Sequence, residues 1–263
     1  MRCNLLPYKT IFLLILSSQM FALKIDRAIV STNNNPTYIQ FWPVIAHAWK
    51  QMGIQPTLAL IAEADVQIDE SIGDVIRFEP IPGVSEALQA QTIRLLLPCY
   101  FPDDCCLVSD IDMVPLNQAY FSDPIQNLPE DAFVIYRDRV YGIKDPRYPM
   151  CYVVAKGSVF KSVFKISALE EIPNTIRQWS QKQLGWDTDE CILYRYVANW
   201  ESAPQNNCVK LGHSVERRLD RADWRFDPQL VADGYYVDAH CPRPYSDYKE
   251  SIDLIIQLSG NQP

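Results

Sequence analysis

Cys105-Cys106-Leu107-Val108-Ser109-Asp110-Ile111-Asp112-Met113-Val114-Pro115-Leu116 is the stretch on which the fold turns. An uncharged run leads into two carboxylates two positions apart. An unbroken run of this kind has the look of a strand buried on both faces of a parallel sheet. In open α/β sheets the ligand crevice lies outside the carboxyl ends of the strands, where Asp110 and Asp112 fall. Two like charges this close disfavour one another unless a cation sits between them. The pair therefore reads as ligands for one hard divalent ion, Mg²⁺ or Mn²⁺, both of which suit oxygen donors and a diphosphate. The bland alternative is two surface-loop aspartates.

Upstream, the pattern alternates. Arg27-Ala28-Ile29-Val30-Ser31-Thr32 predicts a strand ending in the polar loop Asn33-Asn34-Asn35-Pro36. A helix is expected from Pro36, which suits a first turn. Its apolar face is Phe41, Val44, Ile45, Ala48, Trp49 and Met52, and Gly53 stops it. Pro56–Ile61 and Val75–Phe78 read as strands, and Ser85 caps a helix running to Leu97. Strand, helix, strand, strand, helix, strand is an open α/β order with right-handed crossovers. Downstream, strands are expected at Ala132–Tyr136, Met150–Ala155 and Val209–Leu211, and Val237–His240 leads into the Pro-rich segment Cys241–Tyr245. Helices are expected at Ser158–Phe164, Ile172–Gln183, Asp189–Val197 and Ser251–Leu258.

The chain has 263 residues, 48% of them hydrophobic, and a net charge of −8. It is long enough for one α/β domain with a sizeable core. The acidic balance argues against nucleic acid, which needs a basic face, but a bound cation can still bridge carboxylates to a nucleotide's phosphates. Residues 1–22 carry Arg2 and Lys9 ahead of the apolar Ile11–Leu16, a signal peptide or signal anchor. The expected location is therefore exported, lumenal or membrane-associated, with a possible membrane tether through that segment and the domain proper over residues 23–263. Seven Cys follow residue 22, an odd number with no CxxC pair, which argues against a structural zinc site. Export permits disulfides, although Cys105 and Cys106 suit plain core thiols.

The strand ending in Asp110-Ile111-Asp112-Met113-Val114-Pro115-Leu116 and the aromatic helix start Asn117-Gln118-Ala119-Tyr120-Phe121 resemble the GT-A glycosyltransferases. The likeness is to their glycogenin-like and mannosyltransferase-like groups and runs from Arg27 to Tyr248. It implies a single Rossmann-like domain with a mostly parallel central sheet flanked by helices. It implies an enzyme that uses Mn²⁺ or Mg²⁺ to move a sugar from a nucleotide-diphosphate donor to a glycan, protein or lipid acceptor. Asp110 would lie near ribose and metal, and Asp112 would bind the metal directly. His240, in Asp238-Ala239-His240-Cys241-Pro242-Arg243-Pro244-Tyr245, resembles that group's late third ligand. A neutral imidazole completes a mixed oxygen and nitrogen shell. Arg243 stands where the group usually has Lys, and would neutralise the departing diphosphate. His213 competes as the ligand.

Gly185-Trp186-Asp187-Thr188-Asp189-Glu190 resembles the family's acidic segment for acceptor or donor sugar. Asp189 or Glu190 would be the general base of an inverting enzyme, or would only position the sugar in a retaining one. Acids at a helix start are also ordinary caps. Asn33 falls where the fold holds the nucleotide base, or forms a plain turn. Arg94 is a donor contact or a helix-face ion pair. Glu216-Arg217-Arg218-Leu219-Asp220-Arg221 reads most simply as a solvated charged segment, and alternatively as a source of phosphate or acceptor contacts. Two rival readings remain. One is a haloacid-dehalogenase-like phosphatase, whose DxDxV motif Asp110-Ile111-Asp112-Met113-Val114 matches, although that motif normally sits on a first strand. The other is a degenerate transferase that only binds carbohydrate or nucleotide.

Overall fold

The computed structural model of the chain describes residues 23–260. The signal or anchor expected at 1–22 lies outside the described residues. The first strand, β1 (Arg27–Asn33), is followed by α1 (Pro36–Ile39) and α2 (Trp42–Gln51). The sequence predicts one helix here, and Pro43 explains the break. Its ring would clash with the carbonyl four residues back in a continuous helix, so a new helix starts with Pro43 in its first turn. Gly53, at φ 71°, ends α2 as expected. Then come β2 (Gln55–Ile61), β3 (Asp74–Phe78) and α3 (Glu86–Leu96), whose cap Ser85 accepts a bond from the Leu88 amide.

The decisive stretch forms β4 (Cys105–Val108) and, just past the aspartates, β5 (Met113–Pro115) and α4 (Gln118–Ser122). The rest is β6 (Ala132–Ile135), β7 (Val153–Lys156), α5 (Gly157–Phe164), α6 (Ile172–Ser180), α7 (Thr188–Glu201), β8 (Asn207–Lys210), β9 (Arg218–Asp220), α8 (Pro228–Ala232), β10 (Asp238–His240) and α9 (Tyr245–Ser259). The final helix begins at Tyr245 rather than Ser251, directly after Pro244, which is its cap residue.

Seven strands form the main sheet in the order β3-β2-β1-β4-β7-β6-β8. Every neighbour pair is parallel except those of β7, which runs against both β4 and β6. Both faces are covered. Cys105 and Leu107 join one apolar cluster with α2 and α9, while Cys106 and Val108 join the other with α3, α5 and α7. That is the expected consequence of strand alternation in a strand with no polar face. All seven described Cys are free thiols. Among the described residues no helix is long and apolar enough to cross a membrane.

A second, three-stranded sheet has the order β5-β10-β9. Here β10 runs antiparallel to β5, pairing His240 with Met113, and parallel to β9, pairing His240 with Asp220. The Cys241 amide then donates to the Asp112 carbonyl at 2.9 Å. This pairing returns residue 240 to the tip of β4.

Candidate active site

A cavity of about 660 Å³ opens at the carboxyl ends of β1 and β4, and all eight site residues expected from the sequence line it. Arg94 rises from α3 and is buried. One arm of its guanidinium binds Asp110, and the other meets Asp189 Oδ2 at 2.6 Å. Asp189 sits in the first turn of α7, so Arg94 ties the tip of β4 to the start of a helix far along the chain. Of the two readings held for Arg94, an ion pair is therefore seen, but a buried one reaching across the cavity and not along a helix face.

Asp112 is the more enclosed carboxylate. Its Oδ2 lies 3.1 Å from Arg221 Nη1, 3.6 Å from Arg243 Nε and 3.8 Å from His240 Nε2. His240 Nδ1 faces Asp220 Oδ2 at 3.4 Å, so the ring is held between two acids. Arg243 also donates to the Tyr38 hydroxyl and lies over that ring at 4.7 Å. Among the described residues no three His, Cys, Asp or Glu side chains converge as a metal-ligand group. The reason is visible. Asp110 is turned to Arg94, and Asp112 takes its counter-charge from arginines.

The carboxyl groups are tuned in different directions. Burial works to raise Asp110, but the Arg94 guanidinium outweighs it and holds the group below the usual carboxylate range. Burial and the neighbouring Asp110 charge raise Asp112, against the pull of His240 and Arg221. Asp189, with almost no access to water, is raised by burial in spite of Arg94. Glu190 is pushed up to about 7 by burial, although the hydrogen bond from the Tyr141 hydroxyl, at 2.7 Å, opposes this.

Asn33 is half-buried at the end of β1, where its amide reaches only toward Glu86, at 3.5 Å. His213 is not part of this cavity. It packs on Tyr120, with ring centroids 5.4 Å apart and Nδ1 3.4 Å from the hydroxyl, so the competing ligand falls away.

No protein-family model and no curated protein matches the sequence. Solved structures do. An active-site mutant of LgtC is 11% identical, with a TM-score of 0.51, over 89% of this chain and 95% of that one. The glycosyltransferase GlyE of Streptococcus pneumoniae TIGR4 is 12% identical, also at TM-score 0.51, over 89% of this chain and 63% of that one. The chain has the GT-A glycosyltransferase fold. The likeness gives no support to the phosphatase alternative.

Within the GT-A frame, further residues line the cavity, some of which the sequence offered only as alternative phosphate or acceptor contacts. The run from Glu216 to Arg221 is solvated fully only at its start, where Glu216 and Arg217 are exposed. It contains β9, and Arg218 and Arg221 both point into the cavity. Arg137, Tyr141 and Arg147 also line it. Arg147 joins Asp187 at 2.7 Å and stacks on Tyr141 at 4.3 Å, bracing the loop that carries the Glu190 partner. The one available signal was the unusual density of Arg around short acidic segments.

Proposed function

We propose that the protein is a metal-dependent glycosyltransferase that moves a sugar from a nucleotide-diphosphate donor to a hydroxyl of a glycan, protein or lipid acceptor. One observation carries this reading. The return of β10 sets the His240 imidazole 3.8 Å from the second aspartate of the β4 tip, inside a 660 Å³ cavity. Asp110, Asp112 and His240 would hold Mn²⁺ or Mg²⁺. Their mixed oxygen and nitrogen donors suit Mn²⁺, and a cation there would offset the burial and the Asp110 charge that raise the Asp112 carboxyl. The ion would take over the role of counter-charge that Arg221 now fills. When bound it supplies Lewis-acid stabilisation of the departing diphosphate.

The chain's own residues do the rest. Asn33 faces the nucleoside end of the cavity. Arg243 and Arg221 are placed to neutralise phosphate oxygens. Arg94 locks Asp110 and Asp189 in fixed orientations against the sugar. Glu190, held at about 7, is matched to accept a proton at neutral pH. In the transfer, the sugar C1 bond to the phosphate oxygen breaks with its electron pair leaving on the diphosphate. The acceptor oxygen bonds to C1, and the acceptor proton passes to Glu190.

A thermal-shift screen of nucleotide sugars with and without Mn²⁺ tests the donor class, because selective binding stabilises the native state. Asp112→Asn is expected to abolish both Mn²⁺-dependent nucleotide binding and donor turnover, and unaffected turnover refutes the assignment. Retained metal-dependent binding with no donor hydrolysis or transfer moves the protein to the degenerate, carbohydrate- or nucleotide-binding class. Export or a lumenal, membrane-associated location, through residues 1–22, belongs to the same proposal, and cell fractionation with N-terminal sequencing of the mature chain tests it.

A further inference from the structure

Beneath the cavity, two guanidinium groups share one acid. Asp238 is fully buried. Its Oδ2 accepts from Arg137 Nη1 at 2.7 Å and from the Tyr152 hydroxyl at 2.6 Å, and its Oδ1 accepts from Arg218 Nε at 3.3 Å. Arg137 is fully buried as well, and Arg218 is 10% exposed. Among the described residues neither arginine is paired with any other carboxylate. Arginine does not give up its proton in proteins, so the cluster carries one positive charge in excess. The Cys151 sulfur lies 3.1 Å from Arg218 Nη2 and 3.9 Å from Arg137 Nη1. It offers no counter-charge, because burial pushes that thiol well up and keeps it neutral.

The excess charge has donors to spare. Arg137 Nε and Nη2 are buried and reach no hydrogen-bond acceptor. The rings of Tyr120 and Tyr152 flank the guanidinium at 5.5 and 5.2 Å. A buried donor without an acceptor, like a buried charge without a counter-charge, costs enough to need an explanation. Both arginines and Cys151 line the cavity, so an anion entering with a substrate would supply what the protein withholds. The location is specific. Arg218 pairs with Asp238, two residues along from the Asp220–His240 pair. That spacing is about 7 Å on a strand, within reach of one sugar unit from the candidate cation.

We propose that Arg137 and Arg218 form a subsite for an anionic group, a carboxylate or phosphate ester, on a sugar substrate of the transferase. This rests on the transferase reading above and names the class of sugar the site selects. Nothing in the cluster distinguishes an anion on the donor sugar from one on the acceptor, and the test separates them.

Binding is measured calorimetrically in Mn²⁺. One arm compares UDP-glucuronic acid with UDP-glucose, and the other compares glucuronate and glucose 6-phosphate with glucose. An added charge-assisted contact is expected to favour the anionic member by roughly tenfold or more in one arm. A preference in the first arm assigns the anion to the donor, and one in the second assigns it to the acceptor. Arg218→Gln is expected to remove the preference. It leaves Arg137 and Asp238 as a neutral pair, so its melting temperature without ligand should equal or exceed that of the native protein. A merely structural Arg218 would instead lower the melting temperature. Where nucleotide binding is seen, no preference in either arm overturns the inference, as does a preference that survives in Arg218→Gln. Failure of every nucleotide to bind with Mn²⁺ overturns the transferase reading instead, so the two failures are told apart.

Discussion

Replacing Arg94 with Met removes one cation from between two acids, and the size of the loss follows from their burial. The Asp189 side chain is 4% exposed and that of Asp110 is 30% exposed. Asp110 can turn to water, so the damage falls on Asp189. Breaking a buried ion pair by removing one partner typically costs about 3–5 kcal/mol. The stranded acid has an escape, which is to bind a proton. For a carboxyl whose unfolded value is about 3.9, staying protonated in the folded state costs about 1.4 kcal/mol per pH unit above that value. The charge-related loss is therefore capped at about 1.5 kcal/mol at pH 5 and at about 5.6 kcal/mol at pH 8. The sign is that of a folded carboxyl raised above its unfolded value. Stability is whole at low pH and is lost as pH rises through the window between the two values. Urea unfolding of Arg94→Met against native protein, without nucleotide, should show a deficit of about 3–5 kcal/mol at pH 8 that shrinks to about 1.5 kcal/mol at pH 5. Adding Asp189→Asn should recover most of the pH 8 deficit, a coupling expected for residues in direct contact. An Arg94→Met protein as stable as native at pH 8, or equally destabilised at both pH values, refutes the reasoning.

Turnover should rise with pH around a midpoint of about 7, where burial holds Glu190, and Glu190→Gln should remove that limb and cost about 10²–10⁴ in kcat. Tyr141→Phe deletes the bond that favours the ionised Glu190, so it should move the limb to higher pH, read from a kcat–pH profile. Gly157 opens α5 against the backbone before β4. A methyl group there would overlap the carbonyl oxygens of Pro98 and Phe101. Gly157→Ala should therefore cost about 3 kcal/mol by overpacking, measured by urea unfolding.

The parts of the fold written in long, periodic or unbroken patterns were legible. The apolar run of β4, the Ser85 cap and the Gly53 stop each have a local cause that survives in the structure. The unread parts are short. β5, β9 and β10 have three residues each, too few to display an alternation. Charge misled the reading of β9. Arg218 looks solvated in a run of acids and bases, and only its pairing beside Asp238 buries it. The candidate ligands show the same divide. Asp110 and Asp112 could be argued from their place after a buried strand. His240 was reached through resemblance, because Asp112, its neighbour in space, belongs to the other half of the sequence.

That long return explains why a buried ion pair sits below the candidate cation. Asp238 and His240 lie two apart on β10 and so face the same side. A slip of one residue along β5 would turn both away, putting Ala239 or Cys241 opposite the tip of β4. Asp238 in its correct register meets Arg137 and the Tyr152 hydroxyl, both fully buried. In the slipped register those donors would face an apolar side chain, at the cost of leaving buried charge unpaired. The pair thus penalises every register but one, and that register delivers His240 to Asp112. The excess charge of Arg218 adds nothing to this lock, since Arg137 alone matches Asp238. Its position at the cavity edge is the one that the proposed anion subsite needs.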